Sequence, residues 1–308
     1  MENTDWFTLP DGHKLYERTW EAPSPRAHLL ILHGYSDKSD SYNDFASALT
    51  ASFPVRITAF DRRGWGKSVH KSSHKGLTGP ATQSLDEVNR YIHHLRSKYS
   101  TENIPLYLLG HSMGGQESLY YILQQSLPPS DIPDQRPHIS GLILDAPYVG
   151  LDPEVHVPQL QVFFGKLLCP LLPWFQVKNE IDPTAISRDP VVRENFATDP
   201  LCHKTGTLQG FIAMFNREDA LTALSDKSKP VPDGLKTSLS IPVFWAHGTG
   251  DKVTSFTISK NLCERLEIEN KEFKAYDGWY HSLHLEPDGM KEQFANDVGE
   301  WIMRSTEV

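Results

Sequence analysis

The chain has 308 residues, enough for one large hydrophobic core, and its 39% hydrophobic and 22% charged residues are typical of a globular protein. A formal net charge of −9 argues against nucleic-acid binding and leaves no polybasic anchor for anionic lipid. No stretch reaches the roughly 18 apolar residues of a membrane span, and residues 1–20 lack the pattern of a secretory signal, so we expect a cytoplasmic protein.

The three cysteines are predicted to be reduced, packed thiols, because Cys169, Cys202 and Cys263 show no Cys-x-x-Cys spacing. Cys202 precedes His203, but nothing nearby in the sequence completes a set of metal ligands. We therefore expect no metal site.

The first elements in chain order form a predicted hairpin. Residues 6–9 and 15–20 flank Pro10-Asp11-Gly12, a strong turn signal. Short apolar runs then recur, each followed by Gly, Asp or His. They are residues 28–32, 55–60, 106–109, 141–144, 242–246 and 273–276. Continuous apolar runs without alternation are typical of parallel strands that are buried on both faces.

Helical patterns lie between these strands. Residues 84–99, 256–266 and 289–303 carry apolar side chains at helical spacing. The first of them begins with Ser84 and Glu87 in the spacing of a capping box. Alternation of strand and helix predicts an α/β fold, a mostly parallel central sheet with helices on both faces.

The alternation stops over residues 148–229, which lack strand runs and are rich in proline at their edges. We interpret this stretch as a helical cap inserted between two parts of one core, residues 1–147 and 230–308. Such a cap would lie over the carboxyl ends of the strands, where α/β sheets bind their ligands.

The strongest local motif is Gly110-His111-Ser112-Met113-Gly114, between an apolar strand and a helical pattern. This is the setting of a nucleophile elbow, in which glycines let strand and helix approach closely around a strained serine. The motif predicts Ser112 as a nucleophile.

Serine needs a base that takes its proton and an acid that orients the base. In this fold the chain order is Ser, acid, His, and Asp251 and His281 both follow late strands. Asp145 is the alternative acid. His203, His247 and His284 are alternative bases, of which we expect His247 to have a packing role.

Acyl transfer also requires backbone donors for the oxyanion. Two backbone N–H groups are the candidates. One belongs to Met113, directly after the nucleophile, and the other belongs to Tyr35, in the loop after the strand that precedes His33-Gly34.

These motifs resemble those of monoacylglycerol lipases and the lysophospholipase-like α/β-hydrolases grouped with them. The matching segments run nearly from end to end. They are HGYSD (33–37), FDRRGWGKS (60–68), GHSMGG (110–115), LDAP (144–147), ISRDPVV (186–192), TDPL (198–201), HGTGDKVT (247–254) and YDGWYHSLHLE (276–286). The resemblance implies an α/β-hydrolase fold with a helical cap and a Ser112-Asp251-His281 triad.

The resemblance also implies that Asp37, Ser41 and His284 contact the glycerol hydroxyls of the substrate. Ser41 stands where the family often has arginine. Arg63 and Trp65 also depart from the family pattern.

Between Glu154 and Lys178 the sequence contains only one charged residue, Lys166, and residues 167–175 are densely apolar. Pro170 and Pro173 argue against one long helix there. Such a segment could form an acyl-chain tunnel with a patch that contacts lipid, or it could pack the cap onto the core.

We therefore predict a serine hydrolase that cleaves the ester of a single-acyl-chain lipid, most simply a monoacylglycerol, with no metal or organic cofactor. Three alternatives stay open at this point. They are a lysophospholipase or other esterase, an acyl-transferring or lactone-forming enzyme, and a non-catalytic ligand receptor on the same fold. A peptidase would need an acidic site for a free amine, which the sequence does not display.

Overall fold

The computed structural model describes residues 2–126, 137–155, 159–287 and 289–306. The strands within these ranges are β1 (Glu2–Thr8), β2 (Lys14–Trp20), β3 (Ala27–Leu32), β4 (Val55–Asp61), β5 (Leu106–His111), β6 (Gly141–Asp145), β7 (Gln176–Lys178), β8 (Thr205–Thr207), β9 (Ser238–Leu239), β10 (Val243–Gly248), β11 (Glu267–Ile268) and β12 (Lys271–Tyr276). The helices are α1 (Asn43–Ser52), α2 (Ala81–Lys98), α3 (Met113–Leu123), α4 (Gln159–Leu168), α5 (Pro183–Ile186), α6 (Pro190–Thr198), α7 (Leu208–Ser225), α8 (Phe256–Arg265) and α9 (Met290–Thr306).

Eight strands form one sheet in the order β1-β2-β4-β3-β5-β6-β10-β12. The pairs β1/β2 and β2/β4 are antiparallel, and the other pairs are parallel. The hairpin at the start of the chain and the mostly parallel sheet are thus as predicted from the sequence.

Hydrophobic cores cover both faces of this sheet. Leu30 and Leu32 of β3 pack with residues of α2, α3 and α8, whereas Leu29 and Ile31 pack with residues of α1 and α9. Both sets are almost completely buried. Because neighbouring side chains of a strand point to opposite faces, a strand with two covered faces needs a continuous apolar run.

Helix α2 begins earlier than the sequence pattern indicated. The N–H groups of Gln83 and Ser84 both donate to the carbonyl of Pro80, at 3.0 and 3.1 Å, so the first turn forms ahead of Ser84. The carboxylate of Glu87 binds Arg63 Nε at 2.5 Å instead of closing a capping box. The predicted capping box is therefore wrong.

The segment between β6 and β9 contributes α4, α5, α6 and α7, in agreement with its predicted helical character. It also contains an antiparallel pair, β7 with β8, that the sequence analysis missed because each strand has only three residues. Arg217 of α7 and Arg62 both bind Glu117 of α3, and all three side chains are buried. This charge cluster joins the inserted segment to the helix that follows Ser112.

Two further properties bear on the sequence predictions. Cys169, Cys202 and Cys263 are free cysteines; Cys202 and Cys263 are buried, as expected, whereas Cys169 is only partly buried. Among the residues that the structure describes, no helix is both long enough and apolar enough to cross a membrane.

Candidate active site

Ser112 lies in the sharp connection between β5 and α3. Its φ angle is 51°, a left-handed value that a residue with a side chain rarely adopts. The backbone is held there from both sides, since Ser112 N–H donates to the carbonyl of Asp145 at 3.0 Å and Tyr148 N–H donates to the carbonyl of Ser112 at 2.9 Å. The strained serine thus has the geometry of a nucleophile elbow.

The glycines of the motif are required by close backbone contacts. A Cβ atom on Gly110 would lie 2.5 Å from the carbonyl oxygen of Gly114. A Cβ atom on Gly114 would lie 2.1 Å from the carbonyl oxygen of Leu32 in the neighbouring strand. Side chains at these positions would push α3 away from the sheet and so displace Ser112.

Asp251 and His281 are brought together from the loops after β10 and β12. Nδ1 of His281 lies 2.8 Å from Oδ2 of Asp251, and both residues are buried. The N–H groups of Val253 and Thr254 donate to Oδ1 of Asp251 at 2.7 and 3.0 Å. Burial alone would raise the pKa of Asp251, but the charge of His281 and the hydrogen bonds to the carboxylate outweigh burial and hold this pKa far below its ordinary value.

Asp251 has a second histidine partner that the sequence analysis treated as packing. Nε2 of His247 lies 3.1 Å from Oδ2 of Asp251, and the His247 side chain is fully buried. The hydroxyl of Thr254 also donates to this oxygen at 2.8 Å. The available signal was the position of His247 at the end of a predicted strand, four residues before Asp251.

Asp145, the alternative acid, belongs to a separate buried cluster. Its Oδ2 lies 2.6 Å from Nδ1 of His284 and 3.2 Å from Nδ1 of His111. Burial would raise the pKa of Asp145, but His111 and His284 lower it overall to well below the ordinary value. Among the described residues, these three are the group whose ligand atoms lie close enough to hold a metal ion.

A cleft of 500 Å³ opens beside Ser112 and His281 and is here called the polar cleft, because five aspartates and two lysines are among its lining residues. Asp37 and Ser41 also line it, and the Ser41 hydroxyl donates to Oδ1 of Asp37. His284 does not line this cleft. It lies beneath His111 with its ring stacked on Tyr42 at 4.3 Å, and it is 1% exposed. The structure therefore brings two of the three expected glycerol-contacting residues to the cleft.

A second cavity of 330 Å³, the cap chamber, also borders Ser112. It is lined by Tyr35, Ser112, Met113, Tyr148, Leu151, Val155, Gln161, Asn179, Glu180, Ile181, Asp182, Ala185, Met214, Phe215, Lys252, Val253 and Thr254. Ser112, Tyr35 and Ile181 line both the polar cleft and the cap chamber. Ser112 therefore stands where the two cavities meet.

The loop that carries Tyr35 packs directly beside Ser112. A Cβ atom on Gly34 would lie 3.2 Å from Cβ of Ser112. The Tyr35 hydroxyl donates to the carbonyl of Asn179 at 3.1 Å, and the Tyr35 ring contacts Trp65 edge-on at 4.9 Å. The loop with the predicted oxyanion donor is thus fixed between the core and the inserted segment.

Arg63 and Trp65, the two residues of the segment FDRRGWGKS that depart from the family pattern, have structural roles. Arg63 lines neither the polar cleft nor the cap chamber, and its guanidinium binds Glu87 and Asp11. Trp65 stacks on His203 of the inserted segment at 4.9 Å. Both residues therefore act on packing around the site and make no direct contact with either cavity.

The elbow, the parallel sheet and the late loops that carry Asp251 and His281 define an α/β-hydrolase. The sequence profile of the serine aminopeptidase S33 family matches residues 23–288. The chain is 26% identical over 308 residues to the monoglyceride lipase of Rattus norvegicus, covering 98% of this chain and 92% of that protein. It is 28% identical over 303 residues to a monoacylglycerol lipase of Mycolicibacterium smegmatis, covering 96% and 95%.

Among solved structures, a soluble variant of monoglyceride lipase from Saccharomyces cerevisiae, in complex with a substrate analog, has the same fold. The TM-score is 0.85 at 22% identity, and the match covers 98% of this chain and 95% of that one. The chain belongs to the serine aminopeptidase S33 family, within the monoacylglycerol lipase-like α/β-hydrolases, and is a serine ester hydrolase. The family, fold class and enzyme class predicted from the sequence are confirmed.

Proposed function

We propose that this enzyme hydrolyses monoacylglycerols to glycerol and fatty acid through an acyl-enzyme on Ser112. The observation that carries the proposal is the position of Ser112 at the junction of the polar cleft and the cap chamber. A single-chain lipid ester has one polar and one apolar part, and its scissile carbonyl lies between them. The relatives named above support the same substrate class.

In the first half-reaction, His281 accepts the proton of Ser112 while Oγ attacks the ester carbonyl. The 2.8 Å contact with Asp251 engages Nδ1 of His281, which leaves Nε2 for the serine. Asp251 is anionic over the working pH range because its pKa is strongly lowered, so it can stabilise the imidazolium that forms.

The negative charge on the carbonyl oxygen is stabilised by the N–H groups of Tyr35 and Met113. Met113 is the first residue of α3, and N–H groups in the first turn of a helix have no partner within the helix. The positive end of the helix dipole also favours an oxyanion at this place.

The imidazolium of His281 then protonates the leaving alcohol, and the departure of glycerol completes the first half-reaction. In the second half-reaction, His281 removes a proton from water as the water attacks the acyl-enzyme, and the imidazolium returns this proton to Oγ of Ser112 as the fatty acid leaves. Each step uses protein groups and water alone.

The acyl chain lies in the cap chamber against Leu151, Met214 and Phe215, and the glycerol lies in the polar cleft near Asp37 and Ser41. Each methylene removed from water contributes about 0.8 kcal/mol, so the chamber favours long chains.

The family description raises a peptide with a free amine as the alternative substrate. Five aspartates line the polar cleft, and each already has a partner. The pairs are Asp37 with Ser41, Asp40 with Arg18, Asp44 with Lys291, Asp199 with Lys38, and Asp189 with the N–H of Val191. Asp40, Asp44 and Asp199 are paired with cations, whereas Asp37 and Asp189 accept hydrogen bonds from neutral donors and keep their charge, so an aminoacyl substrate belongs in the test below.

We further propose that the enzyme is cytoplasmic and contacts membranes or lipid droplets peripherally through the cap. Leu171 is 78% exposed, Trp174 is 72% exposed and Phe163 is 61% exposed. Side chains so exposed do not pack the cap onto the core, which supports lipid contact over the packing alternative.

The test is a comparison of initial rates on 1- and 2-monoacylglycerols, lysophosphatidylcholine, p-nitrophenyl esters of increasing chain length and aminoacyl p-nitroanilides. Fastest release of fatty acid from long-chain monoacylglycerols is expected. Faster cleavage of lysophosphatidylcholine or of an aminoacyl substrate would overturn the substrate assignment. Formation of a new ester when an alcohol acceptor is added would support acyl transfer instead.

A further inference from the structure

We propose that Arg188 and Glu286 are positioning residues that hold the catalytic histidine loop through a contact from the cap. The proposal rests on the proposed role of His281 as the base. The relevant contact, here called the cap–loop bridge, consists of Ile186, Ser187 and Arg188 on the cap side and of Ser282, Leu285 and Glu286 on the loop side.

Glu286 closes the loop that carries His281. One carboxylate oxygen, Oε1, accepts a hydrogen bond from the N–H of Tyr280, the residue before His281, at 2.8 Å. The Glu286 side chain is 0% exposed, so water does not compete for this bond. A charge-assisted hydrogen bond in such surroundings fixes the backbone immediately ahead of the histidine.

Arg188 binds the other oxygen of the same carboxylate. Its Nε lies 2.7 Å from Oε2 of Glu286. A buried carboxylate without a cationic partner would be strongly destabilising, so the contact with Arg188 stabilises Glu286 in this position. One carboxylate therefore connects the cap segment to the residue next to His281.

Two more hydrogen bonds extend the bridge. The N–H of Ser282, the residue after His281, donates to the carbonyl of Ile186 at 2.8 Å. The hydroxyl of Ser187 donates to the carbonyl of Leu285 at 2.7 Å. The cap thus holds the backbone on both sides of His281.

The core holds the same loop from the opposite direction. Gly250 N–H donates to the carbonyl of Trp279 at 2.9 Å, and the His281 ring contacts Asp251. With the cap–loop bridge broken, only the core contacts would orient the imidazole. A misplacement of about 1 Å can cost roughly 100-fold in rate.

Neither Arg188 nor Glu286 lines the polar cleft or the cap chamber. Ile186, Ser282 and Leu285 of the bridge do line the polar cleft, so the test changes only the Arg188–Glu286 contact, whose loss should slow the chemical step and leave substrate binding unchanged. Arg188, in the segment ISRDPVV (186–192) that carries part of the family resemblance, would then serve catalysis without touching the substrate.

The test compares Arg188→Met and Arg188→Lys with wild type. A fluorophosphonate probe counts the reactive sites and gives the rate constant of labelling for each site. Arg188→Met is expected to lower both this rate constant and kcat by about 10-fold to 100-fold at unchanged KM. Arg188→Lys keeps the charge and should recover part of the rate.

The matched control is Arg304→Met. Arg304 binds Glu272 at 3.1 Å in an exposed arginine–glutamate pair of the core, and neither residue lines the two cavities. The labelling rate of Arg304→Met should equal that of wild type.

A double variant, Arg188→Met/Glu286→Gln, removes both charges of the buried pair. This variant provides a folded protein if Arg188→Met is unstable, and it should also be labelled slowly.

The opposite result is that the Arg188 variants keep the wild-type rate constant per reactive site and differ only in having fewer reactive sites. This result would assign the bridge a purely structural role and overturn the proposal. A raised KM at constant kcat would also overturn it, because it would indicate substrate contact. If wild type itself is not labelled, the proposed role of Ser112 fails, whereas slow labelling confined to the Arg188 variants concerns the bridge alone.

Discussion

His247 and Asp251 form a buried pair, with Nε2 of His247 3.1 Å from Oδ2 of Asp251. The orientation of this imidazole follows from its other neighbours. The indole N–H of Trp245 donates to Oγ of Ser259 at 2.8 Å, and Oγ lies 3.0 Å from Nδ1 of His247. Because a carboxylate oxygen can only accept, Nε2 of His247 carries a proton in this contact, while Nδ1 faces the Ser259 hydroxyl. His247 therefore donates to the oxygen that His281 also contacts.

This pair predicts a kinetic effect of His247. In His247→Leu the carboxylate of Asp251 loses one buried donor and can rotate away from His281, so we expect kcat to fall about 10-fold. His247→Gln retains a donor and should fall less. Stopped-flow labelling with a fluorophosphonate, expressed per reactive site, measures the effect. An unchanged rate in His247→Leu would show that His247 only fills space.

The buried carboxylates predict acid sensitivity of the fold. The pKa values of Asp251 and Asp145 are lowered in the folded chain, whereas the unfolded chain has the ordinary value of about 3.9. As the pH falls, the unfolded state takes up protons first, so their contribution to the free energy of unfolding is complete above about pH 5 and is lost progressively below about pH 4.

Urea unfolding between pH 7 and pH 3 checks this prediction. The loss of stability per pH unit should be smaller in Asp145→Asn than in wild type. Asp233→Asn, which changes an exposed aspartate outside both cavities, should follow the wild-type curve. Parallel curves for Asp145→Asn and wild type would contradict the expected linkage.

The tight elbow predicts opposite effects of two glycine substitutions. Gly114→Ala places a methyl group 2.1 Å from the carbonyl oxygen of Leu32, so we expect a loss of about 1–3 kcal/mol in the free energy of unfolding. Gly165→Ala in α4 meets no atom closer than 3.8 Å and should stabilise the helix by roughly 0.5–1 kcal/mol. Equilibrium urea unfolding of both variants measures the difference. Equal stabilities would show that the elbow is looser than described.

The exposed apolar side chains predict lipid binding by the cap. Trp174→Glu should weaken sedimentation with phosphatidylcholine vesicles by about 10-fold or more, since burial of a large apolar side chain contributes roughly 1.5–3 kcal/mol. Trp6→Glu is the matched control, because Trp6 is 45% exposed on β1, outside the inserted segment. Hydrolysis of a soluble short-chain ester should not change in either variant. Equal loss of vesicle binding in both would locate the lipid contact elsewhere.

The sequence predicted those parts of the molecule that depend on local patterns. Continuous apolar runs identified the main strands of the sheet, and the glycines around Ser112 identified the elbow. The positions of Asp251 and His281 just after two late strands predicted that both lie at the same edge of the sheet. These inferences succeeded because each rests on the periodicity or spacing of a few neighbouring residues.

Contacts between distant segments could not be predicted in the same way. The roles of His247 and Arg188 depend on how the loops after β10 and β12 meet each other and the cap, which no local pattern encodes. The capping box at Ser84 and Glu87 failed because Pro80 and Arg63 supply competing partners. The strands β7 and β8 are too short to give a periodic signal.

The most direct test of the account measures fatty-acid release from a long-chain 2-monoacylglycerol by wild type and by Ser112→Ala, with the mass of each protein after fluorophosphonate treatment. We expect rapid release and one covalent adduct on Ser112 in wild type. In Ser112→Ala we expect a loss of at least about 10³-fold in rate and no adduct. Retention of either the hydrolysis or the adduct in Ser112→Ala would contradict the assignment of Ser112 as the nucleophile.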